Sequence, residues 1–127
     1  MNEYMGPIND VSNTREQETY FRLSDIRALS PSSAFVFGDE HEDSINDARF
    51  EVDYLPDVSW DEMPASRHPG GGAFSFADGH VESKRWQDPR TRLPVTRPKN
   101  VQLVVVSQPN NPDNFWLLDH TTGNKNW

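Results

Sequence analysis

Cysteine is absent from this 127-residue chain, which excludes disulfide bridges and thiolate metal sites. Long apolar runs are absent as well, since no stretch approaches the roughly 18 residues that a membrane-spanning helix needs. Basic clusters are missing, because 12 Lys and Arg stand against 20 Asp and Glu and the formal net charge is −8. Such clusters bind the phosphates of nucleic acids, so nucleic acid is not an expected partner.

The chain also contains few stretches that favour a long helix. Hydrophobic residues make up 34% of the chain, and ten prolines and seven glycines interrupt it. Seven Phe, four Trp and three Tyr nevertheless supply the apolar area for a modest core. We therefore expect one domain over residues 1–127 of α+β, mostly β class, with a small antiparallel sheet and long ordered loops.

The clearest local pattern predicts a β-hairpin. Residues 73–76 alternate small and large side chains, Asp78 and Gly79 supply a turn, and residues 81–86 return. Buried strands are also predicted at residues 34–37 and 101–106, with a weaker one at 52–54. Residues 115–118 fit a last strand or a short helix, and the apolar spacing at residues 23–29 fits one helical turn.

Acidic side chains crowd the stretch after the predicted strand at 34–37. Residues 39–62 contain ten acids and one basic residue, whereas residues 67–99 contain seven Lys or Arg and three acids. Carboxylates packed this densely repel one another unless solvent or a cation neutralises them, and calcium takes about six to eight oxygen ligands. The candidate calcium ligands are Asp39, Glu40, Asp43, Asp47 and Asp78. The alternative is a pair of solvated faces of opposite charge that attract each other within a monomer or between copies.

Histidines raise the alternative of a zinc site. His41, His68 and His80, with Asp39 or Asp78, would offer nitrogen and oxygen ligands, although no pair has the helical i, i+4 spacing of a zinc motif. A more common role for such a histidine is a hydrogen bond to a carboxylate or carbonyl group that fixes a loop. We assign this loop-locking role to His41 and His80, and we expect His68 to lock the hairpin to a neighbouring loop.

The segment from His68 to Gly79 is the most distinctive part of the chain, because nine residues separate His68 from an Asp-Gly pair. It lacks the Lys-Ser/Thr and the following helix of a phosphate-binding loop. Glycines here are expected to allow positive φ angles or close backbone approach. We therefore interpret one set of residues as a structural motif with no catalytic member: His68, Gly70, Gly71, Gly72, Asp78 and Gly79.

Several segments together resemble a known family. They are residues 35–47 (FVFGDEHEDSIND), residues 68–80 (HPGGGAFSFADGH), Trp86, residues 88–91 (DPRT), residues 111–118 (NPDNFWLL), residues 121–122 and residues 1–6. The resemblance is to pilin-like proteins of planctomycetes, verrucomicrobia and relatives. These proteins carry a prepilin-type amino-terminal cleavage and methylation segment and the same signature of His, nine residues and Asp-Gly.

The resemblance implies a pilin-like or pseudopilin-like globular domain and a non-enzymatic subunit of a type IV pilus-like or type II secretion-like filament. Its partners would be other pilin-like subunits, in the periplasm or at the cell surface. The family's basic leader and long hydrophobic helix have no counterpart in this sequence. We therefore expect a soluble carboxyl-terminal domain that would contact a membrane only through that helix. Major pseudopilins use calcium to order a loop, which adds to the expectation of calcium here.

Two alternatives remain open from the residues alone. One is a small extracellular metal-dependent hydrolase built around the histidines and the acidic stretch. The other is a carbohydrate-binding module in which tryptophans line a sugar groove; the candidates are Trp60, Trp86, Trp116 and Trp127.

Overall fold

In a computed structural model, this protein is a small α+β domain. Its described residues form a three-stranded antiparallel sheet and one α-helix. The structure describes residues 1–2, 4–5, 19–47, 49–52, 60, 62–96 and 107–121. The strands are β1 (Phe35–Gly38), β2 (Gly71–Phe76) and β3 (Val81–Arg85), in the sheet order β1-β2-β3, and the helix is α1 (Pro112–Thr121). Short 3₁₀ turns span Leu23–Asp25 and Pro89–Thr91.

The predicted hairpin is confirmed, with β2 and β3 paired in antiparallel register from Gly71↔Arg85 to Ser75↔Val81. Its loop holds three residues, 77–79. The Gly79 N–H donates to the Phe76 carbonyl at 2.9 Å, and the Phe76 N–H donates to the His80 carbonyl at 2.9 Å. Gly79 has φ +94°, the left-handed conformation that closes a three-residue hairpin loop and favours glycine.

Strand β1 confirms the strand predicted at residues 34–37. Its side chains are not all buried, however, because Phe35 and Phe37 lie on opposite faces. Phe35 pairs with Phe76 and Phe37 pairs with Ser75, so two steps along β1 match one step along β2. Val36 is the extra residue of this β-bulge. Because a bulge reverses the alternation of side chains, Phe35 is fully buried while Phe37 is 57% exposed on the opposite face.

Phe74, on the central strand, lies at the middle of the core. Its ring makes edge-to-face contacts with four other aromatic rings at centroid distances of 5.3 to 6.5 Å: Phe35, Phe50, Trp86 and Trp116. Leu117 and Leu118 of α1 complete this core cluster. The aromatic residues therefore provide the core that a chain of low hydrophobic content needs.

Helix α1 resolves the alternatives for residues 115–118 in favour of a helix. Asn111 precedes it and accepts a hydrogen bond from the Asp113 N–H at 2.9 Å, and Pro112 occupies the first turn, where a missing N–H is tolerated. The predicted strand at 101–106 lies outside the described residues, as do positions 53 and 54; Val52 is not in a strand. In the part of the chain that the structure describes, no helix has the length and apolar character to cross a membrane.

Candidate functional site

A tight turn at His68 opens the motif. The Gly71 N–H donates to the His68 carbonyl at 2.9 Å, and the His68 N–H donates to the Gly71 carbonyl at 3.0 Å. Pro69 is the second residue of this turn, and Gly70 is the third, with φ +78°. Proline followed by a residue of positive φ is typical of a type II turn. The turn therefore needs Gly70 for its backbone conformation.

Gly71 is required for a different reason, namely close approach of two backbones. A Cβ atom at this position would overlap the carbonyl oxygen of Lys84 on the paired strand β3. At Gly72, a Cβ atom would lie 3.1 Å from the Ala65 carbonyl oxygen and 3.4 Å from the rings of Phe74 and Trp86. The glycines thus let β2 pack tightly, as expected for a structural motif.

Asp39 connects the motif to the acidic loop, which comprises residues 39–47. One carboxylate oxygen of Asp39 lies 3.1 Å from His68 Nε2 and accepts the Ala73 N–H at 3.2 Å. The Asp39 backbone bonds Ala73 and Ala65, at 3.0 and 2.8 Å. The structure therefore brings together His68 and Asp39, which are 29 positions apart in the sequence. Both side chains are partly exposed, so this contact is expected to add at most about 1 kcal/mol.

Asp78 lies at the hairpin loop instead, beyond the end of β2. Its Oδ1 atom contacts His80 Nδ1 at 2.6 Å and accepts the His80 N–H at 3.1 Å. The hydrogen bond from the His80 side chain lowers the pKa of Asp78 below its usual value. The His80 ring also stacks on Phe76, with 4.4 Å between ring centroids. His80 and Asp78 are thus partners within the loop, away from Asp39.

The remaining predicted calcium ligands each bond to nearby groups of the chain. Glu40 accepts the Ser44 hydroxyl at 3.1 Å, Asp43 accepts the N–H and hydroxyl of Thr96 at 2.6 and 2.8 Å, and Asp47 accepts the Arg49 N–H at 2.6 Å. Across the described ranges, no three His, Asp or Glu side chains form a group that could hold a metal ion.

His41 is buried inside the acidic loop, with 1% of its surface exposed. Its Nδ1 atom accepts the Asp43 N–H at 3.2 Å, which places the ring proton on Nε2. Nε2 then donates to the Leu93 carbonyl at 3.2 Å. Both nitrogens of His41 are therefore used in backbone hydrogen bonds that hold the loop.

Glu62 is an acidic group that sequence reasoning did not single out. It is 4% exposed, and burial raises its pKa to about 7, with further contributions from the negative charges of Glu40, Asp47 and Glu51. The Glu51 N–H donates to its carboxyl group and opposes this shift. Burial also raises the pKa of Glu40. Burial thus opposes the ionisation of both Glu62 and Glu40.

A buried polar network joins two more of the motif segments. The Asp113 carboxyl group is fully buried and accepts the N–H groups of Gln87 and Asp88, each at 2.9 Å. Asn111 donates to Gln108 at 2.7 Å and to Thr91 at 3.0 Å. Residues 86–91 and 108–113 are therefore held together by side chains that the sequence alone did not identify as partners.

The three tryptophans within the described residues serve mainly in packing. Trp60 and Trp86 are buried, and their indole N–H groups donate within the protein, to Gln108 and to the Ala65 carbonyl. Trp116 is half-buried; the Lys84 ammonium lies 4.9 Å from its ring centroid, and the His120 ring stacks on it. Trp127 lies outside the described residues.

Comparisons of the chain with protein families, with curated protein sequences and with solved structures find no match.

Proposed function

We propose that this protein is a non-catalytic structural subunit of a type IV pilus-like or type II secretion-like pseudopilus filament, and that its α+β domain is a pilin-like one. One observation supports this above all others. The signature from His68 to Gly79 uses its polar groups and glycines to hold a hairpin against the acidic loop, through the Asp39 carboxylate and the tight turn at Gly70. Polar groups and glycines that hold two parts of a domain together in this way are typical of a structural motif.

The other motif segments support the same proposal. Residues 88–91 and 111–113 contact each other through Asp113, Asn111 and Thr91, whose hydrogen bonds are internal to the domain. A catalytic carboxyl group needs a position from which it reaches a substrate. Full burial of Asp113 against two backbone N–H groups favours a structural role for this segment.

Partners of this subunit would be other pilin-like subunits, in the periplasm or at the cell surface. Arg90 is a poor candidate for contact with them, because its guanidinium group forms a two-pronged ion pair with Asp88, at 2.6 and 3.0 Å. The hydrogen bond from Arg90 lowers the pKa of Asp88, and the same bond raises the pKa of Arg90. Arg22 and Arg27 are exposed and form no ion pair within the described residues, so they are better suited to bind neighbours.

The proposal is tested in cells that express the gene together with its upstream sequence. We expect the protein in filaments sheared from the cell surface or in cross-linked periplasmic oligomers, and we expect both to disappear when the prepilin peptidase gene is deleted. Because residues 1–127 contain no cysteine, cysteines introduced in pairs, one on each of two surfaces, report contact between copies as a disulfide cross-link. A protein that stays monomeric in such cells, whether or not the peptidase is present, would contradict the proposal.

We also propose that calcium stabilises the acidic loop. A ligand that binds only the folded state raises stability by mass action, so excess chelator is expected to lower Tm by about 3–5 °C. Differential scanning fluorimetry with calcium, with magnesium and with chelator measures this. Asp47→Asn, at an exposed predicted ligand, should reduce the response, and Glu82→Gln on β3 is the matched control. A melting curve that chelator leaves unchanged rules calcium out.

A further inference from the structure

Strand β3 (Val81–Arg85) lies at the edge of the sheet. In the part of the chain that the structure describes, it pairs with β2 alone, in a register without a bulge. Its residues are exposed except for Lys84, which is half-buried. A regular, exposed edge strand offers a second strand a row of backbone N–H and C=O groups.

Hydrogen bonds at the two ends of the hairpin show which backbone groups of β3 point outward. The Phe76 N–H donates to the His80 carbonyl at 2.9 Å, and the Trp86 N–H donates to the Gly70 carbonyl at 3.0 Å. Bonded positions alternate along an antiparallel pair, so the even-numbered residues from 80 to 86 bond to β2. The odd-numbered residues of β3 therefore direct their N–H and C=O groups away from β2; they are Val81, Ser83 and Arg85.

The two even-numbered residues of β3 carry opposite charges. The Lys84 ammonium lies 4.9 Å from the Trp116 ring centroid and has no carboxylate partner within the described ranges. Glu82 Oε2 lies 4.0 Å from His80 Nε2, at the outer limit of an ion pair. Both charges are thus available to a second strand.

A second copy of β3 complements this edge. When two copies pair in antiparallel fashion about a two-fold axis at Ser83, Glu82 of each copy lies opposite Lys84 of the other. Val81 then lies opposite Arg85, and the outward N–H and C=O groups of all three odd-numbered residues meet partners. We propose that two copies of this protein associate through β3 in this register and form a continuous six-stranded sheet.

Charge opposes the two neighbouring registers that would also join the outward backbone groups. An axis at residue 82 places Glu82 opposite Glu82, and an axis at residue 84 places Lys84 opposite Lys84. Like charges directly opposite each other in a strand pair are destabilising. Charges on an edge also disfavour strands that lack complementary charges. The sequence of β3 thus favours a second copy, in one register.

The contact is isologous, because both copies contribute the same strand, and it closes on itself instead of propagating. It therefore joins subunits in pairs and differs from a contact that extends a filament. Pairing of this kind needs only the folded domain and does not depend on the proposed function. Exposed charges contribute to it, so association should weaken as ionic strength rises.

Exchange of the charges tests the register. Glu82→Lys and Lys84→Glu each place like charges opposite one another, so each should raise the Kd of self-association about tenfold or more in sedimentation velocity. An equimolar mixture of the two variants restores opposite charges at both positions and should form a heterodimer with a Kd near that of wild type. Association in the mixture would also show that both variants fold. A mixture that associates no better than either variant alone overturns the inference.

A single cysteine at the axis gives a second readout. The Cα atoms of a hydrogen-bonded pair are about 5.5 Å apart, within reach of a disulfide, so Ser83→Cys should form a cross-linked dimer under mild oxidation. Ser24→Cys, at an exposed position outside the sheet, is the matched control. Equal cross-linking of the two variants overturns the inference, as does a wild-type chain that stays monomeric up to about 1 mM. Either result leaves the proposed function standing, because filaments in cells measure that function independently.

Discussion

Replacement of Asp113 by Ala is expected to lower the free energy of unfolding by about 3–5 kcal/mol, because two backbone N–H groups lose their fully buried acceptor at once. The N–H groups of Gln87 and Asp88 both point at this carboxyl group, which is fully buried. Loss of the acceptor is expected to cost about 1–3 kcal/mol for each hydrogen bond, and removal of the buried carboxyl group adds a cavity. Small domains have only about 5–15 kcal/mol of stability, so the loss would be severe.

Urea denaturation followed by tryptophan fluorescence measures this effect. Asp113→Asn should lose less stability than Asp113→Ala, because the remaining amide oxygen still accepts one of the two N–H groups. Asp119→Ala, at an exposed position of the same helix, is the matched control and should change stability by about 0.5 kcal/mol or less. Equal stability of Asp113→Ala and Asp119→Ala would show that the buried network does not hold residues 86–91 to α1.

The elements set by local sequence were predicted well. Alternation in residues 73–76 and the Asp78-Gly79 turn were enough for the β2–β3 hairpin, because the residues that decide it are neighbours in the chain. The Asp113 network was not predicted, since its partners lie about 25 positions away and no local pattern marks an acid that accepts backbone N–H groups. Glu62 was missed for the same reason, because its burial depends on tertiary packing.

The bulge in β1 marks another limit of prediction. Residues 34–37 predicted a buried strand, and Phe35 and Phe37 would share one face of a regular strand. Pairing with β2 places an extra residue at Val36, which turns Phe37 outward. Register depends on the partner strand, which lies more than 30 positions further along the chain, so the sequence of β1 alone does not contain it.

The candidate site was predicted in part. His68 was expected to lock the hairpin to a neighbouring loop, and the structure places it beside Asp39; positive φ or close backbone approach was expected at the glycines and is found at Gly70 and Gly71. The calcium ligands remain a prediction. Asp78 is bound to His80 at the hairpin loop, so a calcium site in the acidic loop would depend on the residues from 39 to 47.

Glu62→Gln is expected to stabilise the protein by about 2–3 kcal/mol at pH 8 and to have little effect below pH 4.5. Burial raises the pKa of Glu62 in the folded state from 4.5 to about 7. The folded state therefore binds the proton more tightly than the unfolded state does, and stability falls as pH rises between these two values. Each pKa unit corresponds to about 1.4 kcal/mol, and the glutamine side chain would keep an oxygen that accepts the Glu51 N–H.

Unfolding free energies from pH 4.5 to 8 separate this effect from a general loss of negative charge. Wild type should lose stability relative to Glu62→Gln between pH 4.5 and about 7 and show a constant difference above that pH. Glu82→Gln removes one negative charge from the exposed face of β3 and should not reproduce this pH dependence. Parallel stability curves for wild type and Glu62→Gln would mean that the carboxyl group ionises as readily in the folded state as in the unfolded state. Ionisation of Glu62 would then cost the folded protein no stability at neutral pH. Glu62 would therefore give no reason to expect a cation that neutralises the nearby acidic loop.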